Sequence, residues 1–417
     1  MSDPRTEPVF TLQARQDVVV LADHEQELAR LREQEGRVIR AKFPYGDYPF
    51  GDSNGWMAIG YEEAKQAFSD PRLQISLHRE HSYPSPLAGG SDKPPIPINF
   101  TVMDGPQLVA RRRVLSKHLS FKRVNELRPA AEGIVQRTLK EFLALGQGAD
   151  VIAHYAKVIP LAIVCHMLGV PDDERMRFVE FSHALANGRI TDPKEVLAYQ
   201  VHISEYFGEL AQRRREQPGT DLISSLVHDT ESGDWTEDEL RGAGYALLFA
   251  GHDAPSSILG SAIYVLAHRP DLYAQLRDDE GLLPAAVDEF LRRLSMGTNI
   301  RTRVATEDVR IGDITLKKDE TIQPSTNAAN HDPAVFPNPY EIDFHRSGQG
   351  PHVRFGFGPH NCPGSLVARM ELEASLRAIV RTFATIAPAT APADGEDWMR
   401  GIFLRGPHGL PLKWELA

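Results

Sequence analysis

A chain of 417 residues, 41% hydrophobic and 25% charged, is long enough to bury a substantial core in one large domain or two ordinary ones. Two cysteines, Cys165 and Cys362, are too few and too far apart for the disulfide framework of a small secreted protein, which points to a reducing, cytoplasmic setting. A net charge of −11 argues against nucleic acid as a partner, and no run supplies a signal-peptide core or the ~18 uninterrupted apolar residues of a membrane span.

Near the amino end RVIRAKF and GWMAIG read as strands, with Asn54 and Gly55 as the turn dipeptide between them, and YEEAKQAF reads as a helix. Residues 82–98 are dense in Pro and Gly and predict a long surface loop, a kind of segment that often serves as a lid or binding element. From about 105 to 295 the pattern is almost continuously helical, broken at GVPDD, QPGTD and ESGDW. Within it Arg111, Arg112 and Arg113, with Lys117 one turn on, form a local basic run. Thr236 followed by Glu239 is a capping box opening a helix with Leu247, Leu248, Phe249 and Ala250 in a row, so that helix belongs in the core. It then reads Gly251, His252, Asp253, Ala254, Pro255. Proline removes one backbone bond and crowds the carbonyl of Gly251, so the helix should open or kink there.

Past residue 300 come short strands in VRIGDITLKKDETIQPS, a proline-rich coil HDPAVFPNPYEI, and the segment FGFGPHNCPG at 355–364. A final amphipathic helix places Leu366, Met370, Leu376, Val380 and Phe383 about a turn apart, and a hairpin-like tail ends at Trp414. No internal repeat or linker interrupts the chain. The expectation is a single domain over 1–417, mainly α with a small β portion.

Cys362 precedes Pro363, Gly364 and the final helix, so its sulfur should lie at or beside a helix amino terminus, where the unpaired amides and the dipole favour a thiolate. Four chemistries use such a sulfur. It could be a buried structural cysteine, a nucleophile with His360 as base, a zinc ligand with His352 and His360, or a single axial ligand to haem iron. The zinc spacing lacks paired ligands, and no third residue marks a nucleophilic triad.

The order Phe355, Gly356, Gly358, His360, Cys362, Gly364 resembles the haem-binding loop of the cytochrome P450 family. Other marks follow across nearly the whole chain. The resemblance implies that fold, with haem b (iron protoporphyrin IX) between the long core helix and the cysteine-loop helix, and Cys362 on the metal. It makes Glu289 and Arg292, an E-x-x-R pair, and Arg346 a structural network pinning the coil beneath the haem. It assigns the propionates to Arg303, His360 and Arg112. Many relatives also carry a histidine where this chain has Leu108, a contact for which His352 would compensate.

In the core helix the family pattern A-G-x-D/E-T reads here Ala250, Gly251, His252, Asp253, Ala254. The alcohol is missing, so protons for dioxygen would come through Asp253 and solvent, through Ser256 or Ser257, or from the substrate. By resemblance the pocket is built from the 82–100 loop with Asn99, from Leu247, Ala250 and Ala254, from Thr298, Asn299 and Ile300, and from Ile402 and Phe403. The implied activity is O2-dependent hydroxylation or epoxidation of an apolar small molecule, a natural-product intermediate of secondary or antibiotic metabolism. Oxidative C–C or C–N coupling without oxygen insertion and a non-catalytic haem sensor or carrier are the alternatives. A ferredoxin and ferredoxin reductase would supply electrons to a monomer, the acidic ferredoxin meeting Arg111, Arg113 and Lys117.

Overall fold

The computed structural model describes residues 10–11, 20–42, 54–75, 97, 99–175, 178, 193–230, 235–294, 302–347, 350–390, 398–400 and 405–417. Strand β1 (Phe10–Thr11) and helix α1 (Val20–Gln34) lead to β2 (Val38–Lys42) and β3 (Asn54–Ala58), which pair antiparallel with Val38 opposite Ala58 and Lys42 opposite Asn54. Asn54 and Gly55 therefore lie inside β3 and make no turn between the strands. Burial of Trp56, Met57 and Ala58 sets the register, and that outweighs a local turn preference. Helix α2 (Tyr61–Ser69) buries Tyr61, Ala64, Ala67 and Phe68 as one stripe and is followed by β4 (Leu73–Gln74).

The helical expectation holds over the middle of the chain. It contains α3 (Gly105–His118), α4 (Phe121–Ala144), a π-helical turn Ile152–Ala156, α5 (Val158–Leu168), α6 (Pro193–Glu216), α7 (Leu222–Val227), α8 (Glu237–His268), α9 (Pro270–Asp278) and α10 (Leu283–Arg293). Phe142, Tyr155, Ile159, Leu259, Ile263, Leu376 and Ile379 are fully buried in one cluster, so α4, α5, α8 and the last helix share a core. Among the described residues no helix is long and apolar enough to cross a membrane.

Helix α8 starts at the expected capping box. Thr236 Oγ1 accepts from the Glu239 amide at 3.2 Å, and Glu239 Oε2 accepts from the Thr236 amide at 2.9 Å. It then runs unbroken across Pro255. The expected opening is absent: proline deletes one bond, and the Ser256 hydroxyl donates to the carbonyl of His252 at 2.7 Å, within the same turn. A Cβ on Gly251 would stand 2.7 Å from Val164 Cγ2, so glycine is what lets α5 pack this close.

The carboxyl part supplies β5 (Arg303–Ala305), β6 (Val309–Ile311), β7 (Ile314–Leu316), β8 (Thr321–Pro324), α11 (Thr326–Asn330), α12 (Ser365–Thr382), β9 (Phe383–Pro388), β10 (Trp398–Arg400), β11 (Arg405–Pro407) and β12 (Leu412–Leu416). Strands β8 and β5 join the amino-end strands in a six-stranded sheet of order β1-β2-β3-β8-β5-β4. The tail is no local hairpin: β12 pairs antiparallel with β9, Trp414 opposite Ile386, while β10 and β11 make the local pair.

Candidate functional site

The 355–364 loop is held by its own backbone. Gly356 and Gly358 sit at φ 73 and 72, a left-handed conformation open to glycine. At Gly358 a Cβ would also stand 2.9 Å from Ser69 Cα, so the loop rests directly on α2. The Cys362 amide donates to the Phe355 carbonyl at 2.7 Å, closing the loop beside the sulfur. Gly364 is the N-cap of α12, so Cys362 and Pro363 lie immediately before the helix amino terminus. The other cysteine, Cys165, is buried in the core with its thiol pushed up to about 12 by desolvation, which makes it inert.

Helix α3 is tied to this loop twice. Nε2–H of His360 donates to Asp104 Oδ1 at 2.8 Å, and Arg112 donates to Asn361 Oδ1 at 2.9 Å and to its carbonyl. Asp104 occupies the N-cap position of α3, its carboxylate turned to His360 with no capping bond, and was missed by sequence reasoning, although an acid before Gly-Pro is a helix-start signal. Arg303 is almost wholly buried, its guanidinium 5.0 Å above the Phe68 ring. Leu108 is buried apolar packing. His352 does not take its place: its ring lies 3.5 Å from both Asp288 and Arg369, on α10 and α12. Burial pulls that imidazole below its ordinary range, with Asp288 acting against the pull.

The expected ionic network is present. Glu289 receives Arg292 through two bonds of 2.8 Å and Arg346 at 3.1 Å, and Arg292 also donates to the carbonyls of Asn330, Pro339 and Glu341. A cavity of about 300 Å³ beside it is lined by Asp288, His352 and Arg369 among others.

On α8, Leu247, Ala250, Gly251 and Ala254 share a face by their helical spacing. In a helix otherwise packed in the core, Phe249 and Ala250 are exposed and Gly251, Asp253 and Ala254 half-exposed, leaving a small apolar surface at mid-helix. Asp253 Oδ1 is 3.2 Å from Nδ1 of the buried His252. The Ser256 hydroxyl donates to the backbone carbonyl of His252, and Ser257 is buried against Gly406, whose Cβ would stand 3.1 Å from its Oγ.

Two expectations change. Arg111 belongs to no basic docking stripe: it forks onto Glu239 at 2.9 and 2.8 Å and lies 4.7 Å over the Trp235 ring, while Arg113 and Lys117 are exposed. Asn99 spends its amide oxygen on Thr101, at 3.0 Å to the amide and 2.6 Å to the hydroxyl, so it closes a local turn. Thr298, Asn299, Ile300, Ile402, Phe403 and most of the 82–100 loop lie outside the described residues.

Among the described residues no three His, Cys, Asp or Glu side chains gather as a metal-ligand set, which removes the zinc reading. His360 is directed at Asp104, a pairing that an oriented base would also show, so this bond does not by itself decide against the nucleophile reading. What remains is one thiol on a glycine-shaped loop, cationic side chains at its flank and a small apolar helix face. That donor set fits a flat macrocycle with two carboxylates and a metal needing one protein ligand.

Comparison with known proteins agrees. A family model described as cytochrome P450 matches residues 157–414. Nocardicin C N-oxygenase of Nocardia uniformis subsp. tsuyamanensis is 33% identical over 90% of this chain and 92% of its own length. Mycinamicin IV hydroxylase/epoxidase of Micromonospora griseorubida is 31% identical, again over 90% and 92%. Among solved structures, a variant of the mixed-function P450 MycG with mycinamicin V superposes with a TM-score of 0.85 at 31% identity, covering 98% of this chain and 100% of that one. The LnmA hydroxylase of the leinamycin biosynthetic pathway of Streptomyces atroolivaceus gives 0.84 at 31% identity over 97% and 100%.

Proposed function

The chain belongs to the cytochrome P450 family, haem-thiolate monooxygenases, and on that footing we propose that Cys362 holds its haem b and that it oxidises an apolar natural-product intermediate by hydroxylation or epoxidation. The observation that carries the assignment is the loop that closes Cys362 onto Phe355 over two left-handed glycines. Membership in an enzyme family sets aside the sensor or carrier alternative. The substrate class is supported by the relatives named for nocardicin, mycinamicin and leinamycin chemistry.

Bound through a thiolate, haem supplies the O–O cleavage chemistry, one oxygen atom entering the product and the other leaving as water with two electrons and two protons consumed. The protein's part is positioning. Arg303, Arg112 and His360 would hold the propionates, and Gly356 and Gly358 let the backbone approach the ring. Leu247, Ala250 and Ala254 offer an apolar wall that excludes water from the substrate. Ala254 has no hydroxyl, so Asp253, half-exposed on this turn, is the residue that carries protons there. The same missing alcohol favours a second reading, oxidative coupling without oxygen insertion, which labelled dioxygen distinguishes by the absence of label in the product.

The test is a spectral titration of the purified haem protein with natural products of several classes. A class that displaces the iron's water and drives low spin to high spin is the expected result. No haem band, or no red-shifted carbon monoxide complex after reduction, overturns the assignment.

Electrons arrive from a separate acidic ferredoxin, and the exposed pair Arg113 and Lys117, on the helix that also reaches the cysteine loop through Arg112, is the docking charge. Replacing both with alanine is expected to slow reduction by about three- to tenfold at low salt and to flatten its salt dependence. Stopped-flow reduction at the parent rate sinks this docking site.

A further inference from the structure

The Phe355 ring, at the start of the cysteine loop, is gripped by side chains from outside it. Arg369, on the second turn of α12, has its guanidinium 4.7 Å from the ring centroid, a cation–π contact. His352 packs against the same ring at 5.8 Å between centroids, tilted by 46°. Both groups converge on Asp288 of α10: Nε–H of Arg369 donates to Oδ1 at 2.7 Å, and His352 Nε2 lies 3.5 Å from the same oxygen. The Arg354 amide donates to His352 Nδ1 at 3.2 Å, so the imidazole hydrogen sits on Nε2, facing the carboxylate. Burial works to raise the Asp288 carboxyl, but the hydrogen bonds from His352 and Arg369 outweigh it and hold that group below the ordinary carboxylate range. Asp288 is therefore an anion.

One bond carries this grip to residue 362. The Phe355 carbonyl accepts from the Cys362 amide at 2.7 Å, so a shift of Phe355 is a shift of the bond that closes the loop. Charge acts beside packing. A guanidinium does not lose its proton at any working pH, so a permanent positive charge stands against the ring of the residue bonded to Cys362. The side chains of Arg369 and Asp288 are 35% and 53% exposed, so water screens the pair and its effect on a neighbouring charge is moderate.

We propose that Arg369 is a positioning residue for the haem ligand: it holds Phe355 in the loop-closing geometry and sets a positive charge beside the Cys362 loop that favours the reduced iron, while Asp288 orients it and offsets part of that charge. The inference rests on the function proposed above. The step it governs is the first reduction, in which one electron passes from ferredoxin to ferric iron and leaves it ferrous. A cation near the site stabilises the state that has gained the electron, and an anion does the reverse.

The experiment is an equilibrium reductive titration of the haem-loaded protein with redox dyes, in which ferredoxin docking plays no part, on the parent, Arg369→Gln, Arg369→Lys and Asp288→Asn. Arg369→Gln removes the cation and leaves Asp288 uncompensated, and should move the ferric–ferrous equilibrium about three- to tenfold toward ferric, tenfold being about 59 mV for one electron. Arg369→Lys keeps a charge without the planar fork and should move the midpoint less than half as far. Asp288→Asn removes the anion and should move the equilibrium the opposite way, about two- to threefold toward ferrous. The opposed signs separate charge from loosening, since a merely loosened loop shifts both variants in one direction. An Arg369→Gln shift below about threefold, a lysine variant that moves as far as glutamine, or an Asp288→Asn equilibrium unmoved or moved toward ferric overturns the proposal. Hydrogen exchange of the 355–362 segment should also quicken about fivefold in Arg369→Gln, and exchange at the parent rate overturns the hold on Phe355. Failure of the underlying assignment is recognised separately, by a parent protein without the red-shifted carbon monoxide complex.

Discussion

Cys362→Ser protein is expected to fold like the parent, to lose the red-shifted carbon monoxide complex of the reduced enzyme, and to lose reductase-driven oxidation by about a thousandfold or more. Serine matches cysteine in size, and the loop is closed by the amide of residue 362, which donates to the Phe355 carbonyl whatever the side chain. Folding cost should therefore stay small, within ~1 kcal/mol for a half-exposed position. What serine lacks is a soft, readily ionised donor, and the push that favours O–O cleavage comes from that thiolate. The pairing of a retained far-UV circular dichroism spectrum with a lost carbon monoxide band checks it. A band unmoved by the substitution would mean that another residue holds the iron.

The second large effect is structural. Glu289, Arg292 and Arg346 are 4%, 2% and 8% exposed in their side chains, so the ions have almost no water to fall back on. One oxygen of Glu289 accepts from Arg292, Arg346 and the Asp343 amide together, at 2.8, 3.1 and 3.0 Å. Glu289→Ala removes the anion and leaves two guanidiniums side by side in a buried site, a change that costs about 3–5 kcal/mol. Against a total stability on the order of 5–15 kcal/mol this is about a fifth or more of what holds the fold. The loss falls on the coil through Pro337, Asn338, Pro339 and Glu341, whose carbonyls the two arginines gather. Arg292→Lys should also fail, because a single ammonium cannot serve two carboxylate oxygens and three carbonyls as the planar fork does. Haem content after purification and the thermal midpoint are the measurements. A Glu289→Ala protein that keeps both near the parent values would show that the network is dispensable.

Much of the site was readable because its signals are local. Gly356 and Gly358 announce left-handed backbone, Thr236 and Glu239 announce a helix start, and the spacing of Leu247, Ala250 and Ala254 announces a shared face. Arg292 and Glu289 are i, i+3 neighbours, so their contact follows from helical pitch, but nothing local says the pair is buried. That fact arrives with Arg346 and the carbonyls of the coil. His352 and Arg111 show the opposite limit. Each carries the residue type for its expected role, yet His352 meets Asp288 and Arg369 on two other helices, and Arg111 meets Glu239 in the first turn of α8.

By itself the sequence determined the haem loop, the long core helix with Asp253 followed by Ala254, and the helix-rich class, since each depends on backbone preference or period within a few residues. Only the tertiary structure decided which charges are spent on the fold, as Arg111 is on Glu239 and Arg292 on Glu289, and that Ser256 serves a backbone carbonyl. The physical reason is that a side chain's chemistry depends on its desolvation and on the partners that crossing helices bring to it. Those partners lie at sequence separations where spacing carries no information, as with the 128 residues between Arg111 and Glu239.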